Sequence, residues 1–451
     1  RQMCIRDRVC MSLVKLLEEE YVKKHPRSRE LYSRALRCFA SGITHDGRYV
    51  KPFPIYMARA DGTKKWDVDG NEYVDYVMGH GALLFGYNDK RLRRAIESIL
   101  SNIHMGSCTE LEIEWAEMIK KLVPCARDGF VRACACGSEA IAMAVRLARL
   151  HTGRDKIIIH EGCYHGKWES VILAHNGPPY GLCNTRGIPR SVRENTIIVP
   201  YNKPEIVEKI FATGDVACII LQGNAPYTKE YMEELRELTE KYGVVFILDE
   251  VVSGFRYAAG GAQEYYGVTP DLAVLGKIVG GGAPIGAICG SRELLQYYEF
   301  RDDEYWNRFV RISLGGTWNA QPICISAGLE TMKIIDRERD EIYPRLYKIC
   351  ERIVNCIIKC AEEAGIKVSV GGAPPEKPMA FIHPRFGEGS NPLAAYAFYL
   401  SMTNNGVYPY GTGRFMPCVK HSDEDLERTE NAMWKAMEVL KKDNLVPSCD
   451  S

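Results

Sequence analysis

Between about residue 110 and residue 300, short apolar runs alternate with stretches of helical period, and this alternation restricts the fold more than any other feature. The candidate strands are Phe130 to Ala135, Lys156 to His160, Ala217 to Leu221, Val244 to Leu248, Asp271 to Leu275 and Ile285 to Cys289. Helical stretches such as Glu139 to Leu150 and Lys229 to Tyr242 lie between them. Apolar strands connected through helices predict an α/β fold whose mostly parallel sheet is covered on both faces.

The flanks read differently. Leu13 to Phe39 has helical spacing interrupted near Pro26. Alternating residues on either side of Asp69-Gly70 predict a β-hairpin. From about residue 325 a long helix carries the stripe Leu346, Ile349, Ile353 and Ile357, with Gly365 as its stop. Strand-like segments follow at Lys367 to Val370 and Met379 to His383. A last helix begins after Ser422, acidic in its first turn and lysine-rich at its end, as the macrodipole favours. The expected organisation is a large α/β domain over residues 76–324 and a smaller α+β domain built from 11–75 and 325–451. The first ten residues precede Met11 and are expected to be a non-native extension.

Charge and cysteine content narrow the function. Lys plus Arg balances Asp plus Glu at 58 each, so no basic excess favours nucleic acid or an anionic membrane. The run Arg91 to Arg94 reads as a solvated helix face. Leu272 to Gly290, the nearest approach to a membrane span, contains Lys277 and too much glycine. Arg1 to Arg8 has no apolar core of a signal peptide. The 17 cysteines are scattered, and Cys134-x-Cys136 lacks the spacing of a zinc knuckle. No metal site is expected, and a reduced, cytoplasmic setting is.

In open α/β sheets, ligands bind beyond the carboxyl ends of the strands. Here those ends carry Cys136-Gly137-Ser138, Tyr164-His165, Gln222, Asp249 and Lys277. Gly137-Ser138 fits an ordinary helix cap and also a phosphate cradle. Tyr164-His165 fits a hydrogen-bonded core pair, and Asp249 fits a structural partner for an arginine. Lys277 is harder to assign to structure alone. An ammonium inside Asp271-Leu-Ala-Val-Leu-Gly-Lys277-Ile-Val-Gly-Gly-Gly is costly to bury unless paired or neutralised. A lysine shifted toward its neutral form is what Schiff-base chemistry needs.

Together these residues resemble the class III aminotransferases, pyridoxal-phosphate enzymes of fold type I. The resemblance runs from about Arg34 to the last helix. Ile247-Leu-Asp-Glu-Val-Val-Ser-Gly-Phe-Arg256 followed by Asp271 to Gly286 carries most of it, and Gly162 to Gly166 and Ser313 to Pro322 add to it. Within the class, the chain looks most like the glutamate-1-semialdehyde aminomutases. The resemblance implies pyridoxal 5′-phosphate held covalently on Lys277 as an aldimine, with Lys277 then shuttling the substrate proton. It implies Asp249 against the pyridine nitrogen, Tyr164 and Val251 on the two ring faces, and Gly137 and Ser138 on the phosphate. Cys136, His165 and Gln222 fall in the same cofactor site. Thr317 would reach the phosphate of a neighbouring subunit, which implies a homodimer. Arg48 falls on the arginine that grips the substrate carboxylate.

Departures are also visible. The usual Ser-Gly-Thr at the phosphate turn is Cys136-Gly137-Ser138, and the usual Glu-Pro is Gln222-Gly223. The mutase serine and tryptophan of the substrate site become His45 and His80, and the loop Gly406 to Phe415 lacks the mutase glutamate. Arg414, in that loop, fits a second carboxylate contact or a surface arginine. The reading reached is an aminotransferase acting on a small-molecule amino donor and a keto acid or aldehyde acceptor. The alternatives are intramolecular amine transfer, a cofactor-binding protein without turnover, and decarboxylation or racemisation on the same fold.

Overall fold

The computed structural model describes residues 2–101, 103, 106–175, 177–182 and 185–449, with side chains from residue 13 onward. Two compact units emerge: Arg1–Asp89 with Pro344–Ser451, and Lys90–Tyr343. Residues 76–89, read from sequence with the α/β part, cluster in the first unit. A bridge between Gly62 and Tyr87, with backbone bonds in both directions, ties them there. The later division falls at Pro344, inside the helix Pro322–Ala364.

The first unit opens with helices Gln2–Lys24 and Pro26–Ala35, separated by His25 just ahead of the proline, as the interruption predicted. Strands β1 (Met57–Asp61), β2 (Lys64–Asp67) and β3 (Glu72–Asp75) form an antiparallel ribbon in which Lys64 faces Val74 and Trp66 faces Glu72.

The second unit holds strands β4 (Phe130–Cys134), β5 (Lys156–His160), β6 (Thr196–Val199), β7 (Val216–Gln222), β8 (Val245–Glu250), β9 (Leu272–Gly276) and β10 (Gly286–Gly290). Their order across the sheet is β4-β10-β9-β8-β7-β5-β6, and only β10 runs antiparallel to its neighbours. Strands β7, β8 and β9 are buried almost throughout, which explains why they read as unbroken apolar runs rather than alternating ones. Ala140, Ile141, Ala144, Val145, Leu147 and Ala148 of helix Gly137–Thr152 join Ile220, Ile247, Val274 and Ile288 in one core. Small residues on this helix let it lie close to the sheet and bring its N-terminus to the strand ends.

The rest of the first unit adds β11 (Val368–Ala373), β12 (Ala380–Phe386) and β13 (Val407–Tyr408). β11 pairs with β12, whereas β13 joins β3 in parallel and extends the N-terminal ribbon. The stripe Leu346, Ile349, Ile353 and Ile357 is buried, and the long helix stops before Gly365, which takes φ 67. Ser422 caps the last helix, Asp423–Lys442, in a capping box with Asp425.

Candidate active site

In the second unit, the carboxyl ends of neighbouring strands gather the polar residues. Register sets Gln222 of β7 beside Asp249 of β8, and Asp249 beside Val274 of β9, three residues before Lys277. At the far edge of this group, the strand-to-helix turn after β4 presents Cys136, Gly137 and Ser138. Cys136 sits at the N-cap but its side chain makes no capping bond. First-turn N–H groups and the helix dipole therefore remain for an anion. The turn is clamped from two sides. A Cβ on Gly137 would lie 2.6 Å from Cγ2 of Val251, and one on Gly166, at φ +93, would lie 2.8 Å from Cβ of Ser138. No larger residue fits either place without displacing the cradle.

Lys277 follows β9 with φ 52, a left-handed conformation unusual for a side chain of this length. Burial pushes its ammonium below the ordinary lysine value. The Asp249 carboxylate opposes that shift, and the Arg256 guanidinium, fully buried, adds to it. An amine held toward its neutral form can act as a nucleophile and a base.

Asp249 is 4% exposed. Its Oδ1 accepts from the Val251 amide at 3.0 Å, and its Oδ2 bonds Nδ1 of His165 at 2.8 Å. His165 is buried as well. Burial pulls its pKa down, but the Asp249 hydrogen bond and the neighbouring Cys163 outweigh it, leaving it raised to about 9. The imidazolium thus shares the carboxylate with whatever cation Asp249 faces. Behind it, Cys163 Sγ lies 3.3 Å from the Tyr201 hydroxyl, and the Tyr227 hydroxyl lies 3.2 Å from Nδ1 of His160.

Tyr164 is 44% exposed while its amide donates to Gln222 Oε1 at 2.9 Å. Gln222 Nε2 donates in turn to Asn224 Oδ1 at 3.1 Å. Both ends of the amide are used, and a glutamate at this position could not make the second bond. Val251 packs between Gly137 and Gly276, the residue before Lys277, since a Cβ on Gly276 would lie 3.1 Å from its Cγ1. Thr317 is exposed on the segment Ser313 to Asn319, beside Trp318 at 59% exposure.

Arg48, His80 and Arg414 belong to the first unit. Arg48 and His80 line one cavity of about 470 Å³, whereas Arg414 does not. Arg414 is exposed, with its guanidinium 5.9 Å from the Phe381 ring and its carbonyl paired to the Tyr410 amide. Among the described residues, no group of three or more His, Cys, Asp or Glu could hold a metal.

Sequence reasoning gave no role to Arg256 or Tyr410. Arg256 stands in the same run as Asp249, in the turn that follows β8. Tyr410 stands in the quoted loop, but nothing in the sequence sets its ring against His80.

The sequence pattern of the family described as Aminotransferase class-III matches residues 46–349. The chain is 35% identical to a protein of Methanosphaera stadtmanae called glutamate-1-semialdehyde 2,1-aminomutase, over 93% of this chain and all of that one. The chain belongs to the class III aminotransferase family. Among solved structures, it is similar to an omega-transaminase from Sphaerobacter thermophilus, with TM-score 0.80 and 27% identity over 91% of this chain and 97% of that one. It is also similar to a transaminase solved with PLP bound, with TM-score 0.83 and 25% identity over 93% and 99% of the two chains. The fold is therefore that of fold type I enzymes, and the cofactor of the chain is pyridoxal 5′-phosphate. The residues present fit it: an uncapped helix N-terminus suits a phosphate, a buried carboxylate suits a ring cation, and a buried lysine suits a carbonyl carbon.

Proposed function

We propose that the protein is an aminotransferase, in which an amino acid or amine donates an amino group and a keto acid or aldehyde accepts it. Bound pyridoxal phosphate supplies an electron sink for the electrons left at the substrate Cα. Lys277 anchors the cofactor and, through an amine whose pKa burial lowers, takes and returns the Cα proton. Asp249, oriented by His165 and the Val251 amide, holds a proton on the pyridine nitrogen. Gly137 and Ser138, with the Cys136 turn, bind the phosphate through helix N-terminal N–H groups, and Gln222 steadies the Tyr164 loop through its amide. Tyr164 covers one ring face and Val251 the other. Arg48 takes a substrate carboxylate in its guanidinium fork, His80 lines the same cavity, and Arg414 is a second candidate for a carboxylate.

One observation favours transfer between molecules over transfer within one. His80 lines the cavity that holds Arg48, with the His45 ring tilted against it at 4.9 Å, in place of the tryptophan and serine expected of a mutase. The mutase reading keeps support from the name of the Methanosphaera relative. Stoichiometry separates the two. Holoenzyme mixed with single amino donors, without acceptor, is expected to release one keto product per cofactor converted. Isomerisation of an amino aldehyde with no keto product would replace this reading with the mutase one. Retained cofactor with neither reaction would leave a binding protein.

We also infer a homodimer, supported by the exposure of Thr317 and Trp318. A cytoplasmic location is supported by the fourteen described cysteines, none of which forms a disulfide. No described helix is long and apolar enough to cross a membrane.

A further inference from the structure

The cavity of the first unit encloses about 470 Å³, inside the range of roughly 300–1,000 Å³ that accepts drug-sized ligands. Charge on its wall has one sign: Arg48 and Lys65 line it, and among the described residues no Asp or Glu does. Lys65 is already engaged. Its Nζ lies 2.9 Å from Asp75 Oδ1 and 5.3 and 5.4 Å from the rings of Tyr87 and Tyr408. Arg48 donates from Nη1 to Thr44 Oγ1 at 2.8 Å, and among the described residues no carboxylate lies within ion-pair distance of it. A guanidinium without a counter-ion at the edge of a cavity without carboxylates selects for an anion.

Most of the remaining wall is apolar or aromatic, including Phe39, Ile43, Val50, Ile55, Met57 and Tyr410. A wall of that character suits an apolar or aromatic body rather than a second charged group. Backbone strain falls at the same place. Met78 and His80 have φ 43 and 58, on either side of Gly79, and bulky residues keep such angles only where their surroundings fix them. The result is a His80 imidazole held 4.9 Å from the His45 ring and 5.1 Å, edge-on, from the Tyr410 ring.

We infer that this cavity takes a carboxylate carrying an extended apolar or aromatic body, with Arg48 gripping the carboxylate and the strained His80 selecting which bodies fit. The inference rests on the amino-transfer reading only in taking that carboxylate to be part of the substrate.

Calorimetric titration of the holoenzyme tests it with three probes: 3-phenylpropionate, propionate and 3-phenylpropylamine. The first is expected to bind most tightly. Arg48→Ala should weaken it about tenfold or more, as loss of a charge-assisted contact does. His80→Gly keeps the left-handed backbone accessible and should weaken 3-phenylpropionate a few-fold while leaving propionate unchanged. Equal affinity for propionate or the amine, or no effect of Arg48→Ala, would overturn the proposal. The two readings fail separately. If donors convert the cofactor but 3-phenylpropionate neither binds nor slows that conversion, the cavity proposal fails alone. If the acid binds through Arg48 yet no donor converts the cofactor, amino transfer fails alone.

Discussion

Replacing Asp249 by Asn should move the titration of His165 by more than two pH units. In the native arrangement burial favours the neutral imidazole, and the 2.8 Å bond to Asp249 Oδ2 more than reverses this, to about 9 from an ordinary 6.5. At about 1.4 kcal/mol per unit, the rise corresponds to roughly 3 kcal/mol of stability carried by the His165 proton. The sign follows from linkage. A histidine whose folded pKa is raised contributes fully below pH 6.5, and the contribution disappears as pH climbs through about 9. Asparagine keeps the shape of the carboxylate but not its charge, so burial prevails and His165 titrates at or below 6.5. Ring resonances of isotopically labelled histidine, assigned by a His165→Gln variant, would be followed from pH 5 to pH 10. Denaturation over the same range should show the wild type losing about 3 kcal/mol more than Asp249→Asn between pH 6.5 and 9. Subtraction cancels groups that Asp249 does not reach, such as His421, whose pKa is also raised; both chains carry Lys277→Ala, because the Asp249 carboxylate also acts on the Lys277 amine. A His165 titration near 6 in the wild type, or an unmoved one in the variant, would refute the reasoning.

Three further outcomes are expected. Lys277→Ala should abolish turnover, yet the cofactor-free variant should be at least as stable as the wild type at pH 7, because a buried ammonium is removed; a lower melting temperature without cofactor would contradict this. Gly137→Ala should cost about 1–3 kcal/mol through contact with Val251 and weaken cofactor retention, and Val251→Ala on the same chain should recover much of the stability. Glu250→Ala should destabilise by about 3 kcal/mol. It would strand the Ser253 hydroxyl and the Ala262 and Gln263 amides that the carboxylate accepts, and calorimetric unfolding would measure it.

Local patterning made most of the large unit legible. Six of the seven strands of the main sheet were readable, five of them because burial on both faces leaves nearly unbroken apolar runs, and the edge strand Phe130–Cys134, only partly buried, because it leads into a strongly periodic helix. The seventh, Thr196–Val199, is a four-residue edge strand only partly buried, too short to stand out. The helix Ala394–Asn404 also escaped. It is buried on nearly every side, so it lacks the polar face that marks a helical period. β13 has two residues and exists through its parallel pairing with β3, a contact more than 330 residues distant in sequence. At the site, Lys277 and Asp249 could be picked out because charges interrupt apolar strand ends. The bond from His165 to Asp249 spans 84 residues, and the contact of His80 with His45 depends on a left-handed backbone that no side-chain pattern announces. The resemblance singled out Arg48 and left Arg414 between a carboxylate contact and a surface arginine, and the fold puts only Arg48 on the cavity wall.

Borohydride reduction of the holoenzyme followed by peptide mapping tests the central claim most directly. The account predicts a pyridoxyl group on the peptide containing Lys277, formed with loss of the visible absorption band and absent from Lys277→Ala. Labelling of another lysine, or reduction that leaves every lysine unmodified, would contradict it.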